Sequence, residues 1–503
     1  MTSSPKIRAI PRRLPLRRKA WSALILFASL LFLWLWWAHI ANQRLAAQVA
    51  AIAARGEPLY PKDFDPPPVP AGQNAATYFA AACSAIVFPP ATPSSSSMSY
   101  AGYPPFPQAW HDAANQAVAA NQQTLQLARK AQAYAQADWG HGHAAHRAQW
   151  PMRASPNLNG LRYLANLLGD AALLAHEQGN DLEAIERIRD LLHEADAIDN
   201  HSISIINHLT GYGIEALAVD RLEVIAPDLR VDTELGATPA PSPKGSPAAA
   251  ATIREMIHEL LNEQWSHERS LACALAIRME EFDTLDELSE RSDLLKPMVQ
   301  LDAVRLLEDT QWGLRAVEQP NWPSAEAMLA ARPRLFAESS SYGPQPAETK
   351  IRFSHFLASE VGMRIESLIL QEFRHVAERR VAATALAVRL YRAEHHSWPA
   401  RLDDLCPGFL PTVPIDPFSA DGKPLGYVIL RAVLPGGADR PLLFLNAPNE
   451  TVDKAPPQPS FGWAGKNTQW RDLARWAPSS TKAVNDDPHQ PDNTGEQAKT
   501  DGR

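Results

Sequence analysis

Residues 158–199 read LNGLRYLANLLGDAALLAHEQGNDLEAIERIRDLLHEADAID, and this stretch decides the fold class. Apolar residues recur in its first half at steps of three and four, which places them on one face of a helix: Leu161, Leu164, Leu168, Ala171 and Ala175. The same pattern returns in its second half at Leu182, Ile185, Ile188, Leu192 and Ala195. Between the two runs, Gly179 suits the left-handed position after a helix, and Asn180 or Asp181 can cap the next one. We therefore predict an antiparallel helical hairpin.

Helical patterns also dominate the rest of the chain, so the predicted fold class is mainly α, with an extracytoplasmic bundle of helical hairpins. An Ala/Gln-rich stretch predicts a helix at 108–137, and a Pro/Ser/Gly-rich stretch predicts a linker. The predicted divisions after residue 70 are a helical domain at 71–232, the linker at 233–249, a helical region at 250–347, a long helix with a small α+β module at 348–450, and a C-terminal segment at 451–503, disordered from about 478.

Residues 21–40, WSALILFASLLFLWLWWAHI, predict a membrane-spanning helix. About 20 apolar residues at ~1.5 Å each cross a hydrocarbon core of ~30 Å. We assign the anchor to 20–41, and a juxtamembrane helix followed by a Pro-rich linker to 42–70. A cleaved signal peptide is the alternative, but its apolar region is shorter, at roughly 7–15 residues.

The charges around this segment predict its orientation. Residues 1–19 hold seven basic side chains and no acidic one: Lys6, Arg8, Arg12, Arg13, Arg17, Arg18 and Lys19. Only Arg44 follows closely on the other side. By the positive-inside rule, 1–19 stays in the cytoplasm and the body lies outside it.

Composition excludes several classes of function. The formal net charge is −8 although the N-terminal segment is basic, so the body is acidic and nucleic acid is not an expected partner. Cys83, Cys273 and Cys406 are far apart and allow at most one disulfide.

We find no phosphate-binding loop, nucleophile elbow or HExxH motif, and predict no cofactor. Acidic residues at 280–287 predict a solvated helix face.

One histidine cluster allows a metal-dependent enzyme as an alternative. His141, His143 and His146 lie in the sequence HGHAAH, and three imidazoles can bind a transition metal. Only Asp138 is nearby as a further ligand, and solvated loop histidines are the simpler interpretation. No catalytic residue is assigned.

Near the C-terminus, residues 385–430 read ALAVRLYRAEHHSWPARLDDLCPGFLPTVPIDPFSADGKPLGYVIL. The stretch resembles the segment after the long helix in type II secretion pseudopilins of the major, G-protein kind. The residues that fit in order include Tyr391, His395, Trp398, Pro399, Leu402, Leu405, Pro414, Asp416, Pro417, Phe418, Gly422 and Tyr427, whereas His396 stands in place of the usual glycine. Prolines stop helices and turn the chain, and a short β-hairpin is predicted at 425–430 and 442–445.

The order of segments also resembles uncharacterised singly anchored membrane proteins of planctomycete-type bacteria, which implies a bacterial inner (cytoplasmic) membrane and a periplasmic body. The anchor lacks the glutamate that pseudopilins carry five residues into their apolar helix, so filament assembly is not expected. We expect a non-enzymatic scaffold or protein-interaction role among envelope proteins. A secretion-apparatus accessory protein is the first alternative, and the metal-dependent enzyme is the second.

Overall fold

The computed structural model describes residues 16–64, 69–70, 72–88, 106–140, 157–199, 204–235, 245–331, 365–430 and 439–445. Over these residues the chain is mainly helical, as predicted. The first helices are α1 (Leu16–Ala54), α2 (Ala75–Ser84), α3 (Gln108–Ala120), α4 (Gln122–Ala131), α5 (Leu158–Glu177), α6 (Asp181–Asp199) and α7 (Ile205–Ile225). The later helices are α8 (Ala250–Leu260), α9 (Glu263–Arg291), α10 (Lys296–Val317), α11 (Trp322–Ala331) and α12 (Ile365–His395).

Helix α1 runs without a break through the predicted anchor and the predicted juxtamembrane helix. In the described part of the chain it is the one helix long and apolar enough to cross a membrane. Its most apolar window is not buried against the body, and Leu30 is 57% exposed. By length and composition such a helix suits a lipid bilayer, because exposed apolar area of this extent is unfavourable in water.

The predicted hairpin is confirmed as α5 and α6, and α7 packs against both. Gly179 has φ +76°, the left-handed conformation expected of it, and the amide of Asn180 donates to the carbonyl of Ala175 at 2.7 Å. These helices form the main core together with α2, α4, α8 and the second half of α12. Leu161, Leu164 and Ile188 are fully buried there, so the repeating apolar face packs as predicted except at Leu182, which lies in the first turn of α6 and is 38% exposed.

The predicted helix at 108–137 is instead two helices that meet at Asn121. The Asn121 side chain accepts from the amide of Val87 at 2.7 Å and donates to its carbonyl at 2.8 Å. Because this amide group is committed to another segment, the chain bends there and the second helix turns toward α2.

Helices α9 and α10 form a second hairpin, joined by residues 292–295, and α1 packs along α10. Trp34, Asn42 and Gln48 of α1 contact Leu294, Gln300 and Glu308 in the same order, so α1 and α10 run parallel. The contact buries Ile52 and Leu59 against a cluster on α9 and α10: Phe282, Leu285, Val299, Ala303, Leu306 and Leu307.

The C-terminal end is a small α+β unit packed on α12. Strands β1 (Gly426–Leu430) and β2 (Arg440–Phe444) pair antiparallel, with Gly426 opposite Phe444, so the predicted β-hairpin is confirmed. Of the predicted linker, 233–235 and 245–249 are described, and the second piece is packed. Ala248 is fully buried, and the carbonyl of Ser246 accepts from the amide of Leu182 at 3.1 Å.

Candidate functional site

The residues of the C-terminal motif come together around the end of α12. The rings of Tyr391 and His395 stack with centroids 4.1 Å apart. The indole N–H of Trp398 donates to the carbonyl of Asp439 at 3.0 Å, and the Tyr427 hydroxyl donates to the carbonyl of Pro399 at 2.8 Å. These bonds join the turn after α12 to the β-hairpin.

The remaining motif residues form turns or fill the core. Leu402 and Leu405 lie in a short 3-10 helix and are buried in the main core. Asp416 is fully buried, and its carboxylate accepts from the amide of Phe418 at 2.9 Å, as expected of an Asx turn. The carbonyls of Pro414 and Pro417 accept from the amides of Leu425 and Trp322, and Gly422 has φ +66°. These motif residues therefore contact other parts of the fold and stabilise it.

The histidine cluster His141, His143 and His146 lies outside the described residues, as does the segment 451–503. Within the described ranges, no group of three or more His, Cys, Asp or Glu side chains is arranged to hold a metal ion.

A buried group of polar side chains lies between α6, α7, α9 and α12, and we call it the polar core network. Its members are Asp199, His208, Tyr212, Glu215, Arg269, Ser270, Glu372, His375 and Arg379. The helices place them by spacing: His208, Tyr212 and Glu215 follow one face of α7, and Glu372, His375 and Arg379 follow one face of α12.

Tyr212 is the centre of this network. Its hydroxyl hydrogen-bonds to Ser270 and donates to the carboxyl of Glu372 at 3.3 Å. Its ring lies 4.2 Å from the ring of His208 and 4.7 Å from that of His375, between centroids. A single side chain thus links three helices.

The charges of the network are paired. Asp199 lies 2.7 Å from Nδ1 of His208 and 3.8 Å from Arg269. Glu215 lies 2.8 Å from Nε2 of His375 and also pairs with Arg379. Arg379 donates further to the carbonyls of Leu260 and Glu259, at 2.9 and 2.6 Å, which helps to end α8.

Burial changes the protonation of the network. It raises the pKa of Glu372 to about 8, although His375 and Tyr212 oppose that shift. Burial also lowers the pKa of His375 and lowers that of Arg379 to about 10. The pKa of Asp199 is lowered because His208 and Arg269 outweigh the effect of burial. At neutral pH, Glu372 therefore holds a proton while Asp199 is ionised.

A protonated carboxyl beside two hydroxyls and two imidazoles can exchange protons with them, and the packed helices enclose the group. Tyr212 is 8% exposed, Glu372 7%, and Ser270 1%. The arrangement therefore links four helices through buried polar contacts, although Nε2 of His208 has no hydrogen-bond partner in the described part of the chain and Nε2 of His375 has only its close approach to Glu215.

Sequence reasoning missed this network. The signal was a polar residue every three or four positions on α7 and α12, which are otherwise apolar, but a solvated face has the same spacing. The same ambiguity affects α9, where 280–287 was predicted to be a solvated acidic face: Glu280, Asp283, Asp286 and Glu287 are half-buried. Glu281 is 4% exposed, because α9 has neighbours on more than one side.

The second candidate site is where α1 meets the body, and we call it the anchor junction. The Arg278 side chain is fully buried and donates to the Glu57 carboxylate and, at 2.8 Å, to the carbonyl of Pro58. Arg55 pairs with Glu57 and donates to Gln311 at 2.8 Å. The junction therefore joins the end of α1 to both α9 and α10.

The fold contributes apolar packing beneath these polar contacts. The ring of Tyr60 meets that of Phe282 edge-on at 5.9 Å, and the Asp63 carboxylate accepts from the amides of Leu59 and Tyr60. The chain that leaves α1 is thus held against α9 directly. No family model, curated protein or solved structure matches this chain, so its function is inferred from its own residues and contacts.

Proposed function

We propose that this protein is a non-enzymatic scaffold of the bacterial envelope, anchored in the inner (cytoplasmic) membrane by α1, with a cytoplasmic N-terminus and a periplasmic body that binds other envelope proteins. The observation that carries the proposal is the anchor junction. A body fixed rigidly to its anchor presents its surface to partners in a constant orientation, which suits a scaffold. Here the second half of α1 packs along α10, and Arg278 and Glu57 join it to α9.

The basic residues at 1–19 support the orientation, because a positive flank is retained in the cytoplasm. The enclosed polar core network supports a role without catalysis, since its hydroxyls and carboxyls lie where a substrate does not reach. The acidic body is consistent with protein rather than nucleic-acid partners.

Exposed apolar side chains after α2, on α5 and on α7 suggest where partners bind, and we call them the apolar end: Val87, Phe88, Tyr163, Ile206 and Leu209. The rings of Phe88 and Tyr163 meet at 5.2 Å, and Arg162 donates to Thr210 at 3.3 Å. Neighbouring exposed apolar groups of this kind are typical of protein-binding surfaces.

The test is site-specific photo-cross-linking in the native envelope. A photoreactive amino acid in place of Phe88 or Leu209 is expected to give discrete protein adducts, whereas the same group in place of Glu255, which is exposed and polar, gives none. The absence of adducts at both apolar positions would count against the scaffold role. So would turnover by the purified full chain in a broad substrate panel, if that turnover were lost on changing one residue.

Orientation has its own test. A reporter enzyme active only outside the cytoplasm, fused after Pro70, is expected to be active, and the same reporter fused before Met1 inactive. The reverse result would contradict the proposed location of the body.

A secretion-apparatus accessory protein is the second candidate. It is favoured by the way the C-terminal motif residues pack as one unit on α12, with Tyr427 bonded to Pro399. Cross-linking from exposed positions of β1, such as Val428, is expected to recover secretion subunits if this role applies. The metal-dependent enzyme remains a hypothesis, tested by metal analysis of the purified chain.

A further inference from the structure

The turn between α9 and α10 exposes two leucines beside the membrane anchor. Leu294 is 71% exposed and Leu295 48%, although the turn connects two well-packed helices. The carbonyl of Leu294 accepts from the indole N–H of Trp34, at 3.3 Å. We call residues 291–296 the hairpin tip.

Trp34 sets the depth of the hairpin tip. It precedes the end of the apolar run at Ile40 by about 9 Å of helix, at ~1.5 Å per residue. Because α10 runs parallel to α1 from this point, the tip is the part of the body closest to the anchor's apolar surface. Leucines exposed at this depth face lipid rather than water when α1 spans a bilayer.

We propose that the hairpin tip inserts Leu294 and Leu295 into the outer-leaflet interface of the same membrane, as a second lipid contact beside the anchor. The occupant of this surface is phospholipid, since the tip continues the lipid-facing surface of α1. This inference rests on the proposed membrane anchoring and extends it from one contact to two.

Polar groups limit how deep the tip goes. A turn leaves backbone groups without partners inside the hairpin, and such groups are not tolerated in the hydrocarbon core. Arg291, Asp293 and Lys296 are exposed beside the leucines, and basic side chains at this level reach lipid phosphates. The bond between Trp34 and Leu294 satisfies one donor and one acceptor where water is scarce. The tip therefore belongs at the boundary of headgroups and acyl chains.

The experiment uses the full chain in phosphatidylcholine nanodiscs and an environment-sensitive fluorophore attached to Leu294→Cys. Part of the lipid is replaced by phosphatidylcholine with a nitroxide quencher on the acyl chain, placed near the headgroup in one sample and near the chain end in another, because Leu30 lies at mid-bilayer depth and Leu294 nearer the surface. The wild-type chain, treated in the same way, gives the background from its native cysteines. The fluorophore at position 294 is expected to lose emission in quencher lipid. It is also expected to emit at a shorter wavelength than the same fluorophore free in buffer.

Two matched positions make the result decisive. Ile415→Cys is a control of similar exposure, 50%, at the far end of α10, where the amide of Trp322 bonds to Pro417. Leu30→Cys, in the apolar part of α1, reports on the anchor itself. Quenching at 294 and 30 but not at 415 supports the proposal.

Other outcomes overturn it, and they are distinguishable. Quenching at 30 without quenching at 294 refutes the hairpin tip and leaves the anchored scaffold standing. Quenching at 415 as well as 294 means that the body lies flat on the lipid, which refutes a contact specific to the tip. No quenching at 30 removes the anchor, and with it both the proposed function and the inserted tip.

Discussion

The buried guanidinium of Arg278 bonds to the carboxylate of Glu57, 221 residues earlier in the chain. Arg278 lies in the middle of α9, and Glu57 lies just after the anchor helix ends at Ala54. One ion pair thus joins the segment that follows α1 to the body, and its removal should have a measurable energetic consequence.

Replacing Arg278 with methionine is expected to lower the free energy of unfolding by about 1–3 kcal/mol, because Glu57, which is 21% exposed, would keep Arg55 but lose its second charged partner, and the carbonyl of Pro58 would lose its donor. Denaturant titration of the full chain in detergent micelles measures the change. Arg291→Met is the control, since Arg291 is 67% exposed and pairs with Glu287 on the surface, and a loss of less than about 0.5 kcal/mol is expected. Equal losses in both variants would mean that the buried ion pair contributes no more to stability than a surface pair.

The polar core network predicts a pH-dependent stability. The pKa of Glu372 is about 8 in the folded protein, against an ordinary value of 4.5, because the side chain is buried. Between these values the folded state binds more protons than the unfolded state, so the contribution of Glu372 to stability falls as pH rises. It is fully present below about pH 4.5 and lost once pH exceeds about 8.

Glu372→Gln is therefore expected to remove part of this pH dependence, on the order of a few kcal/mol between pH 5 and 9. Unfolding free energies of the variant and the wild type, measured at several pH values, give the difference. Glu255→Gln changes an exposed carboxylate and should leave the wild-type slope intact. A Glu372→Gln variant with the wild-type slope would contradict a proton bound by Glu372 at neutral pH.

Helix α6 offers two buried acids with opposite expected effects. Glu194 is fully buried, neither of its carboxyl oxygens has a hydrogen-bond partner in the described part of the chain, and burial raises its pKa well above the ordinary value. Glu194→Met should raise the free energy of unfolding by about 1–2 kcal/mol, because an unpaired polar group is replaced by an apolar one.

Asp190 lies one turn earlier on α6 and is the matched control. It is also fully buried, but it accepts from Arg129 at 2.9 Å, Arg187 at 3.0 Å and Gln132 at 2.6 Å. Asp190→Asn should lower the free energy of unfolding by about 3 kcal/mol, since the arginines lose their charged partner. Thermal unfolding of both variants measures the two changes in stability. A Glu194→Met chain that is less stable than the wild type would contradict the prediction.

Two glycines test the packing of the segment predicted as a linker. A Cβ on Gly245 would lie 2.1 Å from the carbonyl oxygen of Gly179, so Gly245→Ala must displace backbone and should cost about 1–3 kcal/mol. Gly213, inside α7, has no atom within 4 Å of such a Cβ, and Gly213→Ala should add about 0.5–1 kcal/mol through helix propensity. The unfolding midpoints of the two variants show whether each substitution stabilises or destabilises the chain. An unchanged midpoint for Gly245→Ala would show that 245–249 is not held in place.

Local features were predictable from the sequence because their causes are local. Hydropathy predicted the long apolar helix that the structure shows as α1, and apolar spacing predicted α5 and α6. Gly179 ends a helix in the left-handed conformation, as its position between the two apolar runs predicted. Each of these outcomes depends on a few neighbouring residues and on the preference of one side chain for water, lipid or a backbone conformation.

Contacts between distant segments were decided only by the tertiary structure. The sequence does not show that Arg278 meets Glu57, that Tyr212 meets Glu372, or that Asn121 bonds to Val87 and divides a helix. A polar residue at helical spacing satisfies the same pattern in water and in a core, so its partner is known only once the helices are packed. For this protein, hydrophobic periodicity determined which residues form helices, and the pairing of buried polar groups across those helices determined how they assemble.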